Sequence, residues 1–536
     1  IIKGFVKDSD NNSIENVSVK FGSTGTTTNS SGFYQIRIPL NTNISLEFSH
    51  VGFKSLTKEF FTKKRNIIRF SPVLILENEV LEEVVIKNET KDAQGVTTFK
   101  AKDIERIPGA NSGIETLLMT MPGVSNNNEL STQYNVRGGN FDENLVYVNG
   151  IEIYRPFLVR SGQQEGLSFV NSTMVQNINF SAGGFQAKYG DKLSSVLDIT
   201  YRKPTEFSAT VKASLLGSSI TVEDVFLDNA LTAIVGVRYR DNSLFVNSKQ
   251  IETNFKPRFT DVQTFLTYKK NEKLSLNFLG NFSLNTYDYQ PVTRRTRFGT
   301  VSDPLELIVF YDGQEKDTYL TAFGALSANY QVNDNLELTS TLSAFNTQEE
   351  EYFDIAASYN LGEVDSNIGS ETFGDVTFSE GIGSQLNHSR NDLDALITNV
   401  QVKGTYKKNE SQIDFGIKYQ IEDIKDRIRE WEIIDSVGFS VRPLNLGFIN
   451  DQPYNPYSGP IEPFQNIRAE NKLSIKRLSG FFQYSKKGFI GDHKVWWNLG
   501  VRGHLWSVNA NQNNSTSQFI LSPRAQFAIK PNWDKD

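Results

Sequence analysis

From residue 205 onward apolar and polar residues alternate with a period of two, in segment after segment. Ile413, Phe415, Ile417, Tyr419 and Ile421 share one face of an extended strand, with Asp414, Lys418, Gln420 and Glu422 on the other. Leu274, Leu276, Phe278 and Phe282 stand against Ser275, Asn277, Asn281 and Ser283, and Val495, Trp497, Leu499, Val501 and Leu505 against Asn498, Arg502 and His504. Successive side chains of a strand point to opposite faces, so each segment calls for an apolar medium on one side and a polar one on the other. Tight polar turns near residues 228–229, 271–272, 333–335, 408–410, 491–492 and 532–534 are interleaved with long polar connections at about 241–258, 285–317, 348–392 and 424–471. Short turns at one end and long loops at the other are the build of a transmembrane β-barrel, and a soluble sandwich has no such asymmetry. The aromatic load agrees, with 38 Phe and 20 Tyr in a chain only 38% hydrophobic. No stretch approaches the roughly 18 to 20 consecutive apolar residues of a membrane helix, so any crossing is made by strands.

The alternating segments number about twelve and run from near Phe207 to near Lys530, which marks residues 205–536 as the barrel part. Ahead of it, residues 1–76 show short strands with turn signals. Val17, Val19 and Phe21 alternate there, as do Tyr34, Ile36 and Ile38 after Ser31-Gly32, and this spacing predicts a small immunoglobulin-like β-sandwich. The run Asp8-Ser9-Asp10-Asn11-Asn12 reads as a turn and not as a calcium loop, because Ser13 stands where the EF-hand pattern needs Gly. Residues 77–88 are a short apolar run bounded by charges, either a linker or a strand able to add to a partner's sheet. Residues 89–204 mix strands with a short helix. Ile114, Leu117 and Leu118 fall at helical spacing before Met121-Pro122-Gly123, and Leu145-Val146-Tyr147-Val148 leads into an Asn149-Gly150 turn. The fold class is therefore mainly β: a sandwich, a mixed α/β domain and an antiparallel transmembrane barrel.

Two stretches resemble known families. Gly4-Phe5-Val6, Asn16-Val17-Ser18-Val19, Gly25-Thr26-Thr27-Thr28-Asn29, Gly32-Phe33-Tyr34 and Val51-Gly52-Phe53 look like the carboxypeptidase regulatory-like domain, a module without catalytic groups. Ile107-Pro108-Gly109, Met121-Pro122-Gly123-Val124, Asn135-Val136-Arg137-Gly138-Gly139, Val146-Tyr147-Val148-Asn149-Gly150, Gly183-Gly184-Phe185, Tyr189-Gly190-Asp191 and Val196-Leu197-Asp198-Ile199 resemble, in order and spacing, the plug of TonB-dependent receptors. The resemblance implies a receptor in the cell outer membrane, with plug and N-terminal domain on the periplasmic side. It implies that Val80, Leu81, Glu82, Glu83, Val84, Val85 and Ile86 serve as a TonB box, captured by the inner-membrane TonB complex as an added strand. In the family an arginine at the place of Arg137, beside Gly138 and Gly139, anchors plug to barrel through carboxylates. The family's barrel has about twenty-two strands. An open sheet of about twelve leaves unpaired backbone in hydrocarbon, so further strands are expected beyond Asp536. The appended N-terminal module is similar to the arrangement in Bacteroidota receptors, some of which work with a surface lipoprotein lid or within a larger outer-membrane complex.

Little else in the chain points to chemistry. Four histidines, His50, His388, His493 and His504, are scattered without metal-ligand spacing, and with no cysteine there is no thiolate site. No phosphate-cradling loop and no Ser-His-Asp motif stand in recognisable context, so no catalytic residues, metal or cofactor are assigned. Glu349, Glu350 and Glu351 read as a solvated charge run in a long loop. A formal charge of -7 argues against a nucleic-acid partner. Tyr154, Arg155, Pro156 and Phe157, just past the Asn149-Gly150 turn, are candidates for a ligand-facing plug apex, with a purely structural loop as the other reading. Trp496, Trp497, Trp506, Tyr268, Tyr330, Tyr406 and Tyr484 are expected at the lipid interfaces, in contact with outer-membrane lipid. The chain opens at Ile1 with no Met and no signal-like run, which favours a processed or trimmed chain over a cytoplasmic start. The function these features favour is ligand import by remodelling of the plug. A structural subunit of an outer-membrane assembly or secretion machine is the alternative, and an enzyme the least supported class.

Overall fold

The computed structural model describes residues 1–8, 12–22, 24–39, 42–50, 53–61, 67–74, 95–104, 106–107, 113–126, 131–156, 167–248, 254–435, 462–510 and 514–532. The chain divides into two units, Ile1–Asn88 and Glu89–Asp536. In the first, β1 (Ile2–Phe5), β4 (Phe33–Ile36) and β7 (Ile68–Arg69) form one sheet in the order β4-β1-β7. A second sheet, in the order β3-β2-β5-β6, is made of β2 (Ser18–Phe21), β3 (Thr24–Thr27), β5 (Asn43–His50) and β6 (Phe53–Phe61). The alternation in β5 shows why they stack: Ile44, Leu46 and Phe48 are buried while Asn43, Ser45 and Glu47 are exposed. Ile2, Tyr34 and Ile36 of the first sheet and Val19, Leu46 and Phe48 of the second share one core, as the sandwich expectation requires. Each fully buried Leu or Phe side chain there contributes about 1.5–3 kcal/mol.

The second unit opens with a small domain built on a five-stranded sheet in the order β12-β11-β14-β13-β8. Its strands are β8 (Thr97–Lys100), β11 (Asn144–Val148), β12 (Ile151–Glu152), β13 (Val175–Ser181) and β14 (Ser195–Tyr201), with a separate pair formed by β9 (Val124–Ser125) and β10 (Asn135–Val136). Asn149 and Gly150 take φ of 51° and 75° and turn β11 back into β12, the geometry of a two-residue hairpin. A five-residue helix, Ile114–Leu118, puts Ile114, Leu117 and Leu118 into the core.

One antiparallel sheet follows. Its path runs through β15 (Ser208–Ser214), β16 (Gly217–Phe226), β17 (Leu231–Asp241), β18 (Asn254–Lys269), β19 (Leu274–Gln290), β21 (Asp303–Asn333), β22 (Leu336–Val364), β23 (Val376–Lys408), β24 (Ser411–Asp435), β25 (Gln465–Ile490), β26 (His493–Ala510) and β27 (Asn514–Lys530). These are the expected twelve strands, and β20 (Arg294–Thr300) pairs with β21 off the path. Leu342, Val400, Ile417 and Phe482 expose 57%, 54%, 54% and 51% of their surface on one face, whereas Phe345, Ile397 and Gln420 on the other are buried. In β21 the outer face reads Tyr330, Ala328, Leu326, Gly324, Ala322 and Leu320 before Lys316 interrupts it, about the length a tilted strand needs to cross a bilayer. No helix among the described residues is long and apolar enough to do so.

Two of the four expected long connections, 285–317 and 348–392, are largely strand, and residues 424–435 and 465–471 of a third are strand as well. β22 continues to Val364, β23 starts at Val376 and is 33 residues long, and β24 continues to Asp435. Beyond the bilayer neither face of a strand meets hydrocarbon, so hydrophobic alternation disappears while the backbone stays paired, as between Tyr359 and Gly383. Glu349, Glu350 and Glu351 are therefore strand residues, and Glu349 is only 7% exposed. Two aromatic expectations also change. Trp496 is 4% exposed, and Trp506 shares the inward face of Arg502 and packs under the Arg477 guanidinium, 5.9 Å from its ring centre, whereas Tyr268 and Tyr330 stand exposed on the lipid face.

Candidate functional site

The small domain sits against the inward face of the sheet and shares its apolar core with it. Val146, Ile178, Phe180 and Ile199 of the domain cluster with Ile234, Phe265, Leu279 and Phe345 of the wall. Polar contacts at several places around the wall then fix its orientation. On β17, Arg238 donates from Nη1 to the carbonyl of Val170 at 2.9 Å and from Nη2 to that of Ser168 at 2.8 Å, while its Nε bonds Asp261 Oδ1 at 2.8 Å. On β27, Arg524 Nη1 reaches the carbonyls of Tyr189 and Gln186 at 2.8 and 2.9 Å and lies over the Phe185 ring. On β26, His504 Nδ1 lies 3.0 Å from Asp191, and Arg502 fills the space beside Gly190 so closely that a Cβ there would overlap its side chain.

A further set of contacts gathers the hairpin after the Asn149-Gly150 turn. Lys403 Nζ donates to the Gly150 carbonyl at 2.9 Å, and Lys418 Nζ pairs with Glu152 at 2.7 Å and with the Tyr154 hydroxyl at 2.6 Å. That hydroxyl is also within 3.0 and 2.9 Å of the amide oxygens of Asn399 and Gln420. Arg155 makes a forked ion pair with Glu349 of β22, at 2.8 and 2.9 Å. Burial first, and then the Glu152 carboxylate, push the Tyr154 hydroxyl well above its ordinary range, so it is a neutral hydrogen-bonding group. Burial likewise raises Glu115, on the short helix, despite the Ser168 hydroxyl and the Arg238 guanidinium that favour its charged form.

The residues singled out in the sequence are thus distributed as follows. Tyr154 and Arg155 are drawn together against the barrel wall, and both direct polar atoms to strand side chains. Pro156 follows them half-buried, and Phe157 lies outside the described residues, as do Val80 to Ile86. Arg137 is exposed, with φ of 50°, and its backbone N–H bonds the Gly123 carbonyl at 2.8 Å. Among the described residues no hydrogen bond or ion pair joins its guanidinium to the barrel, and the observed anchors run the other way, from Arg238 and Arg524 to domain carbonyls. Gly139 beside it has a packing reason, since a Cβ would overlap the Ser194 hydroxyl that donates to Glu143 at 2.7 Å. The anchoring arginines carry one sequence signal: Arg238 and Arg502 are inward positions in otherwise alternating strands, where a long cation needs an inward partner. Among the described residues no group of three His, Asp or Glu is placed to hold a metal.

Over residues 89–195 the chain matches the TonB-dependent receptor plug domain, and over residues 2–86 the CarboxypepD_reg-like domain. No curated protein matches it in sequence. Among solved structures it is similar to FpvA of P. aeruginosa, solved with heterologous pyoverdines, at 13% identity and a TM-score of 0.51, covering 82% of this chain and 55% of that one. The ferric citrate transporter FecA in its unliganded form gives 12% identity and a TM-score of 0.50, over 82% and 61% of the two chains. BauA, the ferric preacinetobactin receptor of Acinetobacter baumannii, gives 15% and 0.49, over 83% and 62%. At these identities the likeness is one of fold, and the chain spans less than two thirds of the length of each.

Proposed function

We propose, from the premise that this chain is a TonB-dependent receptor by its plug domain and its barrel sheet, that it imports a ligand across the outer membrane by energy-coupled remodelling of the plug. The observation that carries this reading is the manner in which the plug is seated. Hydrogen bonds and ion pairs from β17, β22, β24 and β27 hold it to the wall, and such contacts exchange for water when the plug moves. Residues Val80 to Ile86 act as the handle, added as a strand to the periplasmic domain of the TonB complex. Tension reaching the plug through residues 87–94 then releases part of it from the wall and opens a path. The energy comes from the inner membrane.

The test begins with purification of the native complex and identification of the bound ligand and partners by mass spectrometry. Uptake of that ligand is then measured in cells whose receptor lacks residues 80–86. Binding at the surface with uptake abolished supports import. Uptake unchanged by the deletion refutes it and leaves the structural-subunit reading.

A further inference from the structure

Beside the Tyr154 contacts the plug and the wall enclose a small cavity. Its charged side chains are Lys188 and Glu152 of the plug and Lys403, Lys418 and Arg502 of the wall, four cations against one carboxylate. Lys418 already takes that carboxylate, at 2.7 Å. An ammonium group has three N–H donors and no acceptor. Lys403 uses one of its three on the Gly150 carbonyl, at 2.9 Å. The Lys188 ammonium makes no hydrogen bond or ion pair among the described residues and lies 4.8 Å from the centre of the Tyr189 ring. The Lys403 ammonium stands 5.6 Å from the Tyr147 ring centre, and the two rings are 5.4 Å apart, so two like charges are held over one pair of touching aromatics. Arg502, 6% exposed, donates from Nε to His504 at 2.7 Å and lies 3.8 Å from Asp191. The other acid nearby, Asp198, accepts from the Tyr189 hydroxyl at 2.7 Å, and Asp191 lies 3.0 Å from His504. Neither acid lines the cavity. The Ser479 hydroxyl does, and it accepts from Arg502 at 3.3 Å with its own proton left to give.

We propose that this cavity binds one small inorganic monoanion, chloride under ordinary conditions, shared between plug and wall. The charge balance asks for it: cations drawn away from water are costly unless a counter-charge meets them, and the acids at hand are committed elsewhere. A water molecule would satisfy the spare donors and leave the charge uncancelled. Size selects the ion. The cavity has about 10 Å³ of room, which takes a single body of about a water's dimensions and leaves out sulfate, phosphate or a carboxylate. Lys188 on the plug and Lys403 on the wall repel each other, and an anion between them turns that repulsion into a bridge. The plug is then held at this place without supplying an acid of its own. The site needs only the plug seated in the barrel and not ligand import, so uptake forms no part of its test.

Crystals of the full-length receptor are soaked in sodium bromide and the anion is located by its anomalous scattering. The expected result is a peak in this cavity, within hydrogen-bond reach of both ammonium groups. In solution, hydrogen exchange of the amides of residues 147–152 and 186–189 is compared in sodium chloride and in sodium sulfate at equal ionic strength. At about ten times its dissociation constant chloride lowers the local opening constant about tenfold, and sulfate, too large for the cavity, does not. Lys188→Met and Lys403→Met should each remove the bromide peak and the difference between the two salts, whereas Lys273→Met, at a periplasmic turn, should leave both intact. Heat-modifiable migration on gels confirms that each variant retains its barrel, and the two measurements on the parent chain test the site by themselves. No bromide peak in the cavity overturns the proposal, as does equal exchange in the two salts. A peak that persists in both methionine variants shows an adventitious ion only and overturns it as well.

Discussion

The Arg155–Glu349 pair offers a quantitative handle on how the plug is held. Its fork of 2.8 and 2.9 Å joins a carboxylate 8% exposed to a guanidinium 27% exposed. Removing one member of a fully buried pair costs about 3–5 kcal/mol, because the other charge stays behind without a partner. The partial exposure of Arg155 lets water solvate it once Glu349 is gone, which brings the expected cost of Glu349→Ala to about 2 kcal/mol. At about 1.4 kcal/mol per decade this is roughly a thirtyfold rise in the local opening constant. Hydrogen exchange of the amides of residues 151–155, in the full-length receptor, reads that opening directly. Arg155→Ala, which strands the more buried Glu349 carboxylate, should accelerate exchange at least as much, and the double variant should fall short of the sum by about 1–2 kcal/mol. Strict additivity, or exchange unchanged in both single variants, would refute the claim that this pair latches the hairpin to the wall.

Glu115→Gln is expected to stabilise the plug at neutral pH. Burial raises the carboxyl above its unfolded value, so the penalty is absent below the ordinary glutamate range and grows as pH rises toward the folded value. The melting temperature of the variant should exceed that of the parent at pH 7 and converge with it near about pH 4. Gly139→Ala drives a methyl into the Ser194 hydroxyl and should cost about 1–3 kcal/mol, seen as faster exchange in residues 141–148 with the barrel's unfolding unchanged. Ile417→Arg, at the centre of the lipid face, should destabilise the barrel in bilayers by about 2–4 kcal/mol, and Asp423→Arg, beyond the band, by less than about 1 kcal/mol.

The barrel was legible in the sequence because lipid on one face and polar groups on the other stamp a period of two on every strand, as in Ile413 to Ile421. The same logic explains what was missed. Gln348 to Val364 is paired strand, yet beyond the lipid band neither of its faces meets hydrocarbon, so it carries no apolar alternation and reads as loop. Tyr154 and Arg155 were found as residues that matter, but their direction was not, since Asn399, Gln420 and Glu349 stand near them only after the sheet has formed. Arg238 and Arg524 left still less trace: their partners are main-chain carbonyls, which look alike under any side chain.

That last property has a bearing on how the molecule tolerates change. Because the two arginines grip carbonyl oxygens, their own hold follows the path of the plug's backbone and not the side chains at residues 168–170 and 186–189. These two grips therefore persist through side-chain changes there, while Phe169, Val170 and Gln186 answer separately to Phe323, the shared core and Gln483. A side-chain pair such as Arg155 with Glu349 ties a change on one partner to a compensating change on the other, whereas the two carbonyl grips separate the inheritance of position from the inheritance of chemistry.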